Sequence, residues 1–298
     1  AAWLLAELTR GNLWTGFPWA AAGYAHVDSL LREWAPWVGV YGLSAISAWA
    51  SMLVATACQR LQHRDTHNSS NSTSTSTTTG LGLLCLCVLA LTWVTSPLRH
   101  ANRQAHTNTP GISVTLLQGN VPQDLKFDSA QLAHSLNLYQ QLIKQEPADL
   151  IATPETALPM LVTQLPAGYL EQLARFGKAS GSTLIIGVPW TTAPGVYLNS
   201  VIGIADGVAN YRYDKHHLVP FGEFIPPGAR WFVELMQIPL GDFGRGDLLQ
   251  PPLQIKDQWL LPNICYEDLF GEEIAAQLLT AHMRGTPVAS VLLNVSNI

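Results

Sequence analysis

Three residues of this chain stand where strands should end, and their types suit acyl chemistry. Cys265, in Asn-Ile-Cys-Tyr-Glu-Asp, closes the apolar run Trp259–Ile264 and precedes a helix-forming stretch. A thiol at such a turn lies exposed at a sheet edge, close to free backbone N–H groups that stabilise a thiolate and an oxyanion. Glu155 follows Pro154 directly after a short apolar run. A carboxylate held at a sheet edge in partly apolar surroundings is a candidate general base. Lys215 opens Lys-His-His-Leu-Val-Pro-Phe-Gly-Glu just past another strand, where an ammonium can neutralise the oxyanion of a tetrahedral intermediate. Taken singly, each has a plainer reading: an inert buried cysteine, a solvated turn glutamate, a surface lysine. His216 and His217 are poor metal ligands, because neighbours on an extended segment point to opposite faces and no partner stands at ligand spacing.

The elements that must position these residues alternate. From about Pro110 the chain reads as a strand over Ile112–Gln118 and then a helix capped by Asp128 or Ser129. That helix repeats Leu132, Leu136, Tyr139 and Ile143 at helical spacing. A short buried strand at Asp149–Thr153 is broken by Pro154. A helix over Tyr169–Ala179 and a strand over Thr183–Val188 follow. Tyr197–Ala205 and Val208–Tyr213 flank Asp206-Gly207, a hairpin signal. After Trp259–Ile264 come a helix over Glu272–Met283 and a last strand over Val288–Val295. Interleaving of this kind predicts an α/β or layered αβ domain over residues 110–298.

The first 109 residues read differently. Charged residues make up 12% of the whole chain, about half of what soluble domains carry. Ala35–Cys58 holds 24 residues without a charge and Gly80–Leu98 holds 19. Both are transmembrane candidates, since about 20 such residues cross the hydrocarbon core; two buried helices of a large soluble protein are the alternative. Residues 59–79 between them, ending in NSSNSTSTSTTT, are expected to form a flexible Ser/Thr loop. Gly11–Ala25, with Trp14, Phe17, Trp19 and Tyr24 among Gly and Pro, suits a segment at headgroup level. Arg60 and Arg64 against Arg99 and Arg103 leave the positive-inside rule tied. A net charge of −5 without a basic block excludes a nucleic-acid partner. Cys58, Cys85 and Cys87 lie in apolar stretches, leaving Cys265 without a disulfide partner in its own region.

The order Glu, Lys, Cys, each ending a strand, resembles the nitrilase (carbon–nitrogen hydrolase) superfamily. The runs LQGNVPQ (117–123), PETALP (154–159), KHHLVPFGE (215–223), ICYE (264–267), NVSN (294–297) and TGFPW (15–19) resemble the apolipoprotein N-acyltransferases within it. The resemblance implies α-helical transmembrane segments followed by a nitrilase-type αββα sandwich. It implies Cys265 as nucleophile, Glu155 as general base and Lys215 as oxyanion partner. Glu223 would be a second essential carboxylate, with Tyr266 and Glu267 shaping the pocket, and no metal or cofactor is implied. The activity would be transfer of an acyl chain from a phospholipid, usually phosphatidylethanolamine, through a cysteine thioester to the amine of a diacylated apolipoprotein acceptor. The implied setting is the bacterial inner membrane, multi-pass, with the catalytic domain periplasmic.

Thr153 and Phe127 depart from the family, which commonly has tryptophan at both positions. The chain opens on Ala-Ala-Trp and stops in a strand-like run, so it reads as a fragment truncated at both ends, with an incomplete sandwich. A membrane-anchored amidase using water in place of the lipoprotein amine fits the same triad. From another class, a catalytically inactive nitrilase-fold membrane scaffold is disfavoured by having Glu, Lys and Cys all present.

Overall fold

The computed structural model describes residues 2–13, 15–66, 111–122, 129–228 and 243–297. The chain divides into two compact units, Ala1–Thr109 and Pro110–Ile298.

In the first unit α1 (Ala2–Asn12) leads through two 3-10 turns, Ala22–His26 and Leu30–Trp34, into the long helix α2 (Ala35–Thr66). Helix α2 is broken at Gly39, whose φ is +63°. Polar groups tie the aromatic segment to these helices. Glu7 accepts from the Ala22 N–H at 2.8 Å and Ser44 Oγ from the Gly23 N–H at 2.7 Å. Phe17 and Trp19 meet edge to face at 5.2 Å, and both rings stay largely exposed. Leu30–Thr56 is long and apolar enough to cross a membrane by length and composition, and only 11% of its most apolar window is buried. It overlaps the first expected span. The helix runs eight residues beyond Cys58, where a loop was expected, because Gln-Arg-Leu-Gln-His-Arg has no Gly or Pro to stop it. The second expected span, 80–98, lies outside the described residues.

In the second unit, strands β1 (Val114–Leu116), β2 (Leu150–Ala152) and β3 (Thr183–Ala193) are parallel; β4 (Val196–Ala205) and β5 (Val208–Asp214) follow antiparallel, in the order β1-β2-β3-β4-β5. Helices α3 (Ser129–Gln145) and α4 (Tyr169–Ser180) make the two crossovers. A second sheet holds β6 (Leu253–Ile255), β7 (Gln258–Ile264) and β8 (Val291–Val295), with β7 central. Helix α5 (Gly271–Arg284) joins β7 to β8.

Side-chain alternation assigns the faces. Ile151, Leu184, Ile186, Ile202 and Ile204 turn to the helices, where Leu136, Tyr139 and Ile143 of α3 and Leu173 of α4 complete one core. Their neighbours Leu150, Ala152, Ile185, Val201 and Tyr213 turn the other way, onto Leu253, Leu260, Leu261, Ile264 and Val295 of the second sheet. Tyr169 locks the helix layer by donating to the Leu136 carbonyl at 2.8 Å. Leu278 of α5 packs at the margin of the inter-sheet core.

Most expected elements are present within a few residues of their predicted ends. Strand β3 is five residues longer than its apolar run because it continues through Pro189 into a second hairpin with β4. The short β6, whose three-residue Leu-Gln-Ile alternation was too brief to be expected as a strand, pairs with β7 across Lys256-Asp257.

Ile185 is fully buried between the two sheets. Ile185→Ala is expected to cost about 2–5 kcal/mol through lost burial and the cavity left behind. Urea unfolding followed by tryptophan fluorescence measures this, and a loss below about 1 kcal/mol would mean the two sheets are not packed as described.

Candidate active site

Four strands end or begin at one edge of the sandwich, and each delivers a polar side chain there. Glu155 lies three residues past β2, Lys215 directly follows β5, and Cys265 directly follows β7. Strand β4 is antiparallel to β3, so its beginning lies at the same edge and carries Asn199. Register then sets Asn199 beside the lysine, whose N–H donates to the Asn199 carbonyl at 2.8 Å.

Lys215 is the centre of the cluster. Its side chain is 1% exposed, and Nζ stands 2.9 Å from Glu223 Oε1 and 3.5 Å from Glu155 Oε1. Burial works to push its pKa down, but the charges of Glu223 and Glu155 and the hydrogen bond to Glu223 outweigh this and raise it. The amine therefore stays an ammonium. Asn199 Nδ2 binds both carboxylates, Glu155 Oε1 at 2.7 Å and Glu223 Oε1 at 3.0 Å. Only the amide nitrogen can donate to two acceptors in this way, which fixes the orientation of the amide. Glu223 is held from its other side by the Val219 N–H, 2.8 Å from Oε2.

Glu155 is aimed by a tight approach of backbone to backbone. A Cβ on Gly187 of β3 would stand 2.2 Å from the Pro154 oxygen and 2.6 Å from the Thr156 nitrogen, so only glycine lets the Glu155 turn lie against the strand. Thr153, buried at the root of this turn, accepts from the Gly187 N–H at 3.0 Å through Oγ1. The hydroxyl stitches the turn to β3. Phe127 lies outside the described residues.

Cys265 adopts φ +53°, a left-handed conformation unusual for a side-chain-bearing residue. It opens a 3-10 turn, Cys265–Leu269, and α5 starts only at Gly271, so the expected strand-to-helix step has a turn inserted. Burial pushes the thiol pKa up, and the negative charge of Glu155 adds to this; a hydrogen bond from Ser296 and the charge of Lys215 act the other way. The net effect is a resting thiol. This corrects the expectation of a thiolate stabilised by free N–H groups.

Glu267 is buried and ties the cysteine turn to the lysine strand. Its carboxylate accepts from the N–H groups of Ile264 (2.7 Å), His216 (2.7 Å) and His217 (3.1 Å) and from the Tyr213 hydroxyl (3.1 Å). Burial raises its pKa, while these donors partly offset the effect. Tyr266 is buried edge-on to His217 and Phe270. The two histidines diverge: His216 Nδ1 meets the Gly246 carbonyl at 2.8 Å, and His217 Nδ1 meets Glu273 at 2.8 Å.

The cluster thus brings together Glu155, Lys215, Cys265 and Glu223, with Glu267 and Tyr266 packed beneath. Sequence reasoning missed Asn199, Gly187, Tyr213 and the hydroxyl of Ser296. Ser296 lies in the Asn-Val-Ser-Asn run, which was singled out without a role for its hydroxyl; Asn294 of the same run donates through Nδ2 to the Cys265 carbonyl at 2.9 Å. Chemically, the arrangement places a thiol beside a carboxylate and an ammonium, a set of groups able to form and transfer a thioester.

A family model described as carbon-nitrogen hydrolase matches residues 113–286, and one described as apolipoprotein N-acyltransferase N-terminal domain matches residues 1–53. The chain is 44% identical over 292 residues to a protein of Ralstonia nicotianae named apolipoprotein N-acyltransferase, covering 98% of this chain and 52% of that protein. A protein of the same name from Verminephrobacter eiseniae is 44% identical over 302 residues, covering 100% of this chain and 54% of its own length. The chain therefore spans about half the length of these curated relatives. Among solved structures, a carbon-nitrogen hydrolase from Helicobacter pylori G27 is 22% identical, with a TM-score of 0.41 over 63% of this chain and 60% of that one.

A raised thiol pKa leaves less thiolate at any given pH, so alkylation of Cys265 by iodoacetamide should reach half its maximal rate above pH 9.0, the ordinary thiol value. Glu155→Gln removes a charge that opposes ionisation and should shift that midpoint down. Peptide mass spectrometry across a pH series reads both, and a wild-type midpoint below the ordinary value would contradict the resting thiol.

Proposed function

This chain belongs to the carbon–nitrogen hydrolase family, and we propose that it transfers an acyl chain from a phospholipid, through a thioester on Cys265, to the amine of a diacylglyceryl-cysteine at a lipoprotein N-terminus. The observation that carries the reading is the Lys215 ammonium, buried between Glu155 and Glu223 beside the Cys265 thiol. The relatives' names and the apolar helix α2 direct that chemistry toward lipids.

In the first half-reaction Glu155 takes the thiol proton as Sγ attacks the ester carbonyl of the donor. The oxyanion that forms is stabilised by Lys215. Collapse expels the lysophospholipid alkoxide, which takes the proton from Glu155 and leaves the thioester. In the second, the lipoprotein amine attacks the thioester carbonyl and Glu155 accepts an amine proton. The amide forms, and the departing Sγ recovers that proton. Glu223 keeps Lys215 charged and in place, and Asn199 holds both carboxylates so that neither leaves the cluster. Glu267 fixes the cysteine turn relative to the lysine strand, and Tyr266 shapes the floor of the pocket. Phosphatidylethanolamine is the donor this reading favours.

Residues 1–109 form the membrane region of the proposal, with spans at 35–58 and 80–98, and residues 110–298 form the catalytic domain. The protein would sit in the bacterial inner membrane as a multi-pass enzyme with that domain in the periplasm. Two spans then put the Ser/Thr loop on the cytoplasmic side.

Incubating the full-length protein with phospholipid should add one acyl mass to the Cys265 peptide. Cys265→Ser should abolish the adduct, because an alcohol is far less ionised than a thiol. Lys215→Met should slow it about 100- to 1,000-fold. An adduct undiminished in Cys265→Ser would remove the nucleophile assignment; with a diacylglyceryl-cysteine peptide added as acceptor, release of free fatty acid with no amide product would favour the amidase reading.

Orientation has an independent test. Single cysteines at positions 74 and 131, in a background lacking Cys58, Cys85 and Cys87, can be probed with an impermeant thiol reagent on spheroplasts. Labelling at 131 alone is expected until the membrane is permeabilised. Labelling at both positions from outside would mean that at most one of the two segments crosses.

A further inference from the structure

The segment Phe243–Gly246 lies across the lysine end of the site. Its Phe243 N–H donates to the Glu223 carbonyl at 2.9 Å, Gly244 N–H to Tyr197 at 2.7 Å, and Gly246 N–H to Lys215 at 2.9 Å. Three backbone hydrogen bonds in four residues leave Arg245 little freedom at its root. Its guanidinium carbon stands 4.7 Å from the ring centroid of Phe224, the residue after Glu223. Arg245 is exposed, and among the described residues no carboxylate lies within ion-pair distance of it.

The neighbouring turn is also unusual. Val219 and Glu223 close it, by the Glu223 N–H to the Val219 carbonyl at 2.9 Å and by the Val219 N–H to the Glu223 carboxylate. Phe221 at its tip has φ +63° and a ring 37% exposed. A bulky residue in the left-handed region persists only where its surroundings impose it, and such residues gather at functional edges. Beside the lysine there is thus an exposed aromatic ring and, stacked on a second ring, an arginine with no acidic partner among the described residues.

Charge makes this arrangement informative. Two carboxylates, one ammonium and a neutral thiol leave the cluster net negative, which opposes the approach of a phosphate. A guanidinium lying over a ring keeps its N–H edge free, in the geometry that binds phosphate oxygens through two parallel hydrogen bonds.

We propose that Arg245 is a specificity-determining residue that binds the phosphodiester of the acyl donor, with Phe221 packing against the adjoining glycerol and acyl root. The site thereby selects glycerophospholipids over phosphate-free acyl esters. This inference rests on the phospholipid donor of the proposed function. Phosphatidylethanolamine and phosphatidylglycerol share the phosphodiester, so both depend on Arg245 alike.

The experiment measures single-turnover acylation of Cys265 in the full-length protein, in mixed micelles, for wild type, Arg245→Gln and Arg245→Lys. The donors are phosphatidylethanolamine, phosphatidylglycerol and the diacylglycerol with the same chains. Arg245→Gln should reduce kcat/KM for both phospholipids by on the order of 10- to 100-fold more than for diacylglycerol, the size of one charge-assisted contact. Arg245→Lys should recover part of that difference, since it keeps the charge and loses the fork. Equal loss on all three donors, or no loss on any, overturns the assignment of Arg245 while leaving the acyl-transfer reading intact. A wild-type protein that is acylated by diacylglycerol but by neither phospholipid, or by none of the three, overturns the donor assignment and this inference with it.

Discussion

A buried ammonium is the constraint on which the rest of this site depends. Lys215 is almost completely enclosed, and an unpaired charge there would be far too costly to keep. Its compensation comes from Glu155 and Glu223, which reach it from different parts of the chain. Two carboxylates close to one ammonium repel each other, and Asn199 relieves this by donating to both. Lysine, both glutamates and asparagine therefore form one unit in which loss of any member exposes the charge of another. The thiol is coupled to the same unit: burial is the main reason Cys265 resists ionisation, and the negative charge of Glu155 adds to it.

A second carboxylate system holds the unit in register. Glu267 collects three backbone N–H groups and a tyrosine hydroxyl, from strand ends that belong to different sheets. The inter-sheet core explains why these ends can be so close. Leu150, Ile185 and Val201 on one sheet and Leu260, Ile264 and Val295 on the other pack directly, so the residues just past them meet at a common edge. Left-handed backbone at Thr156, Phe221 and Cys265 shows the outcome: the turns carrying Glu155, Glu223 and the thiol are each bent away from ordinary geometry. Strain of about 1–3 kcal/mol per residue is sustained by the packing behind it.

The two units differ in how much local pattern they carry. In the second unit, period-2 alternation in β3 and β4 and the helical repeat in α3 are imprinted on consecutive residues, so each element can be read without knowledge of its neighbours. In the first unit the signal is a run of uncharged residues, which gives the length of a helix but not its end. Helix α2 continued to Thr66 for that reason, since only helix propensity, and no stop signal, acts past Cys58. The short β6 shows the opposite case: its Leu-Gln-Ile alternation is too short to read alone, and pairing with β7 makes it a strand.

By itself the sequence determined which residues were chemically capable and in what order they came. Glu155, Lys215 and Cys265 were legible as chemically capable residues at strand ends, which are local properties, whereas Glu223, Tyr266 and Glu267 stood out only through the resemblance of their runs to a known family. What only the tertiary structure decided were relations between residues distant along the chain. Asn199 bridges a carboxylate 44 residues before it and another 24 residues after it. Gly187 matters because the Glu155 turn passes over it, and Ser296 because β8 ends beside β7. The direction of the Cys265 shift also belongs to this class. Burial and charge proximity are sums over everything that surrounds an atom in space, and a linear sequence holds the identities in that sum but not the distances.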